Sequence, residues 1–124
     1  MKRAAALPRP VPLERAVEAA DVVHALRQFG LTQASIALAT QASPRSVRNW
    51  QRTSAIRPQT EDRLRDLREI ALLLQETLTR RGVGQWLRAR NRLLGDRRPL
   101  EVLAAGETQA VREAAAAYVE GAYV

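Results

Sequence analysis

The chain has 124 residues, 46% hydrophobic but only 4% aromatic, with no cysteine and a net charge of +7. That length suits one domain, or two small ones sharing a core. The missing cysteine excludes disulfides and thiolate metal sites, and the charge favours a polyanionic partner, nucleic acid ahead of membrane. Alanine, leucine, arginine, glutamate and glutamine dominate, so an all-α fold is expected. No stretch approaches the roughly 18 apolar residues of a membrane span, and the basic start MKRAAALPRPVP lacks the apolar run of roughly 7–15 residues that a signal peptide needs. A cytoplasmic protein without membrane contact is expected.

Residues 1–12 carry Lys2, Arg3 and Arg9 among Pro8, Pro10 and Pro12. Alternating prolines disfavour helix, and this stretch reads as a flexible basic arm. A first helix is expected over residues 13–29, with Ala19, Val22, Leu26 and Phe29 inward and Gly30 as its stop. His24, the single histidine, cannot build a metal site alone.

Residues 31–51, LTQASIALATQASPRSVRNWQ, read as two short helices around a tight turn. Thr32 suits the first N-cap, and Ile36, Ala37 and Ala39 face inward. The turn is Thr40-Gln41-Ala42. Ser43 caps the next helix and Pro44 takes its first position, where an N–H would be unpaired anyway. Val47 and Trp50 supply that helix's core face, leaving Arg45, Ser46, Arg48 and Asn49 on the other. In a helix-turn-helix the second helix enters the major groove and flanking groups hold phosphates. Arginine can fork onto guanine and asparagine onto adenine. The DNA-binding set expected here is therefore Gln33, Ser43, Arg45, Ser46, Arg48, Asn49 and Arg52, with base reading centred on Arg45, Arg48 and Asn49.

A fourth helix is expected over residues 58–81. Leu64, Leu67, Ala71, Leu74 and Leu78 repeat at 3,4,3,4 spacing, and Ile70 and Leu73 widen the stripe into a core face, part of which can serve a dimer. Glu61, Asp62, Asp66 and Glu69 interleave with Arg63, Arg65 and Arg68 and read as paired charges on a solvated face. Gly82 and Gly84 suggest a boundary, giving a helix-turn-helix domain over residues 13–81 and a C-terminal domain over residues 82–124. The latter reads as a short helix at 85–90 with Trp86 and Leu87, a turn at Asn91-Arg92-Leu93-Leu94-Gly95, a helix opened by Pro99 and closed by Gly106, and a last helix over 107–124. Its inner side carries Val111, Ala114, Ala115, Tyr118 and Val119. Residues 80–98 hold seven basic and one acidic side chain, whereas residues 99–124 hold one basic and four acidic. The chain end is acidic and apolar, which is unusual for a terminus.

Leu31-Thr32-Gln33, Ile36-Ala37, Ser43, Ser46-Val47 and Trp50 resemble the Xre-type (phage-repressor, Cro/C1-like) helix-turn-helix. Gln41 departs from the glycine that many such turns contain. Trp86-Leu87, Asn91, Leu94-Gly95, Pro99-Leu100, Leu103, Gly106, Val111 and Gly121, in that order, resemble the toxin-binding domain of the Xre–MbcA–ParS antitoxins. The joint resemblance covers residues 15–124. It implies an antitoxin that covers the active-site cleft of a RES-domain, NAD⁺-consuming toxin, the complex repressing its own promoter; a homodimer on operator DNA is expected because helix-turn-helix proteins usually bind paired half-sites. The toxin-binding residues it implies are Trp86, Arg90, Asn91, Tyr118, Glu120, Gly121, Tyr123 and Val124, with the last helix and tail plugging the toxin's pocket. The alternative is a stand-alone repressor whose second half only dimerises it. With no glycine-rich phosphate loop and no nucleophile–base set, neither catalysis nor a cofactor is expected.

Overall fold

At three of the helix starts among the described residues, a side-chain oxygen meets a backbone N–H group that the first turn leaves unpaired. Thr32, Ser43 and Thr79 each accept the N–H of the residue three positions on, Ser35, Ser46 and Gly82. The structure, a computed structural model, describes residues 11–50, 52 and 55–121. Among them are seven α-helices: α1 (Ala19–Arg27), α2 (Gln33–Thr40), α3 (Pro44–Asn49), α4 (Pro58–Leu74), α5 (Arg80–Arg88), α6 (Pro99–Ala104) and α7 (Thr108–Val119). Two short 3-10 turns, Leu13–Arg15 and Arg92–Leu94, complete the regular structure, and no strand is present among the described residues. The all-α expectation holds.

α1, α2 and α3 form the first layer. Thr32 and Ser43 cap as the sequence suggests, Pro44 sits in the first turn of α3, and Val47 and Trp50 are buried. Thr40, the one buried polar residue among those described, donates its hydroxyl to the Ile36 carbonyl at 2.7 Å, so its burial leaves nothing unpaired. α4 runs beneath this layer and presents Leu64, Leu67, Ile70, Ala71 and Leu74 to the interior. α6 packs on α2, and α7 lies along α4. A single apolar cluster runs from Leu13 to Ala115 and includes residues on both sides of Gly82.

Three helix boundaries differ from the sequence reading. The first helix does not run through residues 13–29. A 3-10 turn at Leu13–Arg15 is followed by extended backbone at Ala16 and Glu18, and α1 starts only at Ala19. The break lets both Leu13 and Ala16 bury, while Arg68 of α4 donates to the Leu13 and Glu14 carbonyls at 3.1 and 3.0 Å. Val11, just before it, packs against the core, and residues 1–10 of the expected arm lie outside the described residues.

The second difference lies after Leu74. α4 stops there rather than near residue 81, and Thr79 caps α5, so Gly82 and Gly84 sit inside a helix instead of breaking one. Gly84 is required by close approach. A Cβ there would fall 2.0 Å from the Phe29 carbonyl oxygen, so the glycine lets α5 press against the end of the first layer. The boundary expected between residues 81 and 82 falls within this helix. Third, the last helix ends at Val119, with Gly121 in the left-handed region at φ 68°, a conformation that terminates helices. Residues 122–124 lie outside the described residues.

The charges on α4 are also arranged differently. Only Arg65 pairs within its own helix, to Glu61 and Asp62. Asp66 and Glu69 instead hold Arg112 of α7, at 3.0 and 3.6 Å, and Thr108 donates to Asp66. Arg63 donates to the Leu103 carbonyl at the end of α6. A pattern that looks like a solvated face is a set of links between helices.

Candidate functional site

The tight turn between α2 and α3 sets a compact basic face on α3. Gln41 adopts φ 59° and ψ 37°, the left-handed conformation that reverses the chain in a single residue. The N–H of Gln41 donates to the Leu38 carbonyl and that of Ala42 to the Ala37 carbonyl, closing the end of α2. α3 then leaves with its core side fixed by Val47 and Trp50.

The opposite side of α3 lines a concavity of about 390 Å³ formed by Gln33, Arg45, Arg48, Asn49 and Arg52. Five of the seven residues expected to meet DNA thus converge on one surface, Gln33 contributed by α2 and the rest by α3 and the residues following it. The guanidinium groups of the three arginines make no hydrogen bond or ion pair among the described residues, and no acidic side chain lines the concavity. Such an arrangement offers planar, always-charged donors to an anion or to base edges. Ser43 and Ser46 are placed differently. Ser43 accepts the Ser46 N–H and donates its hydroxyl to the Ser46 oxygen, both at 3.0 Å, so the pair is engaged in capping α3.

In the C-terminal half, the loop after α5 is held by its own polar groups. Asn91 accepts the Leu93 N–H at 2.9 Å, pairs through its backbone with Arg97 and accepts the Asp96 N–H. Arg90 donates to the Asp96 carbonyl at 3.1 Å. Both residues expected at a toxin surface therefore shape this loop. Arg97 donates to the Leu94 carbonyl and forks onto both oxygens of Glu107, at 3.0 and 3.3 Å. The hydrogen bond from Arg97, and then its charge, lower the Glu107 pKa; the same two effects raise that of Arg97. Trp86 and Tyr118 are half-buried and pack against the core, leaving part of each ring outward, while Glu120 and Gly121 are exposed at the end of α7. Tyr123 and Val124 lie outside the described residues.

One residue of the site was not singled out by its motif. The Gln41 side chain donates from Nε2 to the Ala104 carbonyl at the end of α6, joining the turn to the C-terminal half. The only sequence signal was its departure from glycine.

No helix among the described residues is long and apolar enough to cross a membrane. No cluster of histidine and carboxylate side chains suited to a metal ion is present among them.

The fold and site define a small all-α protein with an arginine face on α3 and a second helical half linked to the first by arginine side chains. No profile of a known protein family matches the chain. Individual relatives are informative. A probable mycobacterial cidal antitoxin of Mycobacterium tuberculosis is 53% identical over 114 residues, covering 92% of this chain and 98% of that protein. The mycobacterial cidal antitoxin MbcA of Mycobacterium bovis is 36% identical over 110 residues, 87% of this chain and 96% of its own length. Among solved structures, a chain of the crystal structure of the M. tuberculosis MbcT–MbcA toxin–antitoxin complex superposes with a TM-score of 0.72 at 33% identity, covering 88% of this chain and 100% of that one. The chain belongs to the mycobacterial cidal antitoxin family.

Proposed function

We propose that this protein binds and inhibits a partner toxin of RES type, an NAD⁺-consuming enzyme, by covering its active-site cleft, and that it also binds operator DNA to regulate its own expression. Its place of action is the cytoplasm, and its working form is a homodimer within a larger complex. The likeness to a chain of a toxin–antitoxin complex, over nearly the whole of both chains, carries the inhibitory half of this reading. The surface assigned to the toxin is the outer edge of Trp86, the α5–α6 loop with Arg90 and Asn91, and the end of α7 with Tyr118, Glu120 and Gly121, continued by Tyr123 and Val124. Half-buried aromatics suit this role, since they add large contact areas while keeping one edge fixed. The acidic balance of residues 99–124 suits a site built for an anionic dinucleotide, where carboxylates can occupy phosphate positions.

The test is growth rescue on co-expression with a RES-type toxin encoded beside this gene. Rescue is expected from the full chain, and its failure would contradict the inhibitory reading. Deleting residues 122–124 leaves every described core residue in place and should abolish or sharply weaken rescue. Undiminished rescue by that deletion would remove the tail from the inhibitory surface.

The concavity of Gln33, Arg45, Arg48, Asn49 and Arg52 carries the DNA half. Arg45, Arg48 and Asn49 read bases there, and Gln33 and Arg52 hold phosphates. Ser43 and Ser46 support the helix and meet DNA through the backbone they cap. A dimer would set two such faces on half-sites about one helical turn apart. Specific retardation of the promoter fragment by the purified chain is expected.

A further inference from the structure

We infer that Gln41 is the positioning residue of the DNA-reading face, and that its side chain orients α3 against the C-terminal half; the inference rests on the DNA-binding reading above. Two observations meet at this residue. Its backbone is in the left-handed region, where a non-glycine residue is disfavoured by contact between Cβ and carbonyl oxygen. Glycine would occupy that turn without strain. The side chain that makes the turn strained is also the one that reaches α6, donating to the Ala104 carbonyl sixty-three residues away in sequence.

The end of α6 is a fixed point. The Leu103 carbonyl accepts the backbone N–H groups of Ala105 and Gly106, and side chains meet the last carbonyls of α6 from two directions. Arg63 of α4 donates to the Leu103 carbonyl at 3.1 Å, and Gln41 takes that of Ala104. The Arg63 guanidinium also lies near Gly106, two residues past Ala104. α6 is further seated on α2 over much of the length of both helices. A side chain tied to this anchor fixes where the α2–α3 turn lies, and hence the angle at which α3 leaves it. Glycine at position 41 would keep the turn but release it from α6.

Gln41 is uncharged and lies outside the concavity, so a role in positioning differs measurably from a role in contacting phosphate. Positioning affects contacts that need geometry, namely base readout. Non-specific attraction to the phosphate backbone, and its salt dependence, follow the number of cationic contacts and stay unchanged.

The experiment uses the full chain as unaltered protein, Gln41→Gly, Gln41→Asn and Arg63→Met. Binding is measured to the promoter fragment and to a scrambled duplex over a range of salt, with thermal unfolding alongside. Gln41→Gly should weaken promoter binding about five- to tenfold, the effect of one lost hydrogen bond expressed at the readout surface. Scrambled-duplex affinity and salt slope should not change. Its melting temperature should hardly change, because relief of backbone strain offsets the lost bond. Gln41→Asn tolerates the left-handed turn but is one methylene too short for Ala104, so it should behave like Gln41→Gly. Arg63→Met should lower stability and weaken promoter binding less than Gln41→Gly does. Promoter binding by Gln41→Gly equal to that of the unaltered chain would overturn the inference and leave the DNA reading intact. Failure of the unaltered chain to prefer the promoter over the scrambled duplex would overturn the DNA reading itself, and the inference with it.

Discussion

Two regions of this chain are rich in arginine, and they put it to opposite uses. Around α3, Arg45, Arg48 and Arg52 converge on one concavity, their guanidinium groups without a partner among the described residues. In residues 80–98, four of the seven arginines are engaged inside the protein: Arg88 on the Gly30 carbonyl, Arg90 on that of Asp96, Arg97 on Leu94 and Glu107, and Arg98 on Glu101. The second region has the greater positive charge by count, but most of its guanidinium groups close carbonyls and carboxylates of its own fold. Arginine suits both uses because its planar fork can saturate a backbone carbonyl as readily as it can read a phosphate or a guanine. A charge count over a segment therefore locates arginines without saying whether they remain available.

The largest effect is expected at Gly84, where the second region presses on Phe29, just after α1. Gly84→Ala drives a Cβ into the Phe29 carbonyl, and backbone must shift. A loss of about 3 kcal/mol of stability is expected, at the upper end of overpacking effects, as measured by chemical denaturation. The available arginines give the next effect. Arg48→Ala with Asn49→Ala should weaken specific operator binding by about thirtyfold or more, read by gel retardation, since each base-reading contact contributes about 1–3 kcal/mol. Stability should stay within about 0.5 kcal/mol, because both side chains are exposed.

The engaged arginines should behave in the opposite way. Arg88→Met removes the 2.8 Å bond to the Gly30 carbonyl while keeping an apolar stem. It should cost about 1–1.5 kcal/mol in unfolding experiments and leave specific operator binding unchanged. Glu107→Gln gives the smallest effect, since the pair it breaks is solvent-exposed and screened by salt. Arg97 lowers the folded-state pKa of Glu107. The pair's stabilisation is therefore fully present above the usual carboxylate range and is lost as pH falls through the lowered folded-state value. The difference in melting temperature between the two proteins should be visible at neutral pH and low salt, and vanish in acid.

Much of the first half was legible because its signals are local. Thr32, Ser43 and Pro44 announce helix starts, and Ile36, Ala37, Val47 and Trp50 sit at core spacing and are buried. The convergence of Gln33 with Arg45, Arg48, Asn49 and Arg52 followed once the turn was placed. Elements decided by distant partners were harder to read. The break at Ala16 reflects Arg68, a residue of α4, holding the carbonyls before it. Gly82 and Gly84 read as a boundary because glycine is a weak helix former, and nothing nearby indicates that the Phe29 carbonyl needs the space. Glu69 reads as an i,i+4 partner of nearby arginines but turns to Arg112, forty-three positions on. Arg90 and Asn91 were noted for a partner surface, and their hydrogen bonds shape the loop that would present it.

The proposed function gives the arginine face and the C-terminal half separate tasks, DNA binding and toxin inhibition. It is tested most directly by growth of cells expressing the RES-type toxin together with either the unaltered chain or the Arg48→Ala, Asn49→Ala variant supplied from an independent promoter. Equal rescue by both is expected. Rescue by the unaltered chain but not by the variant, at equal protein levels, would contradict it.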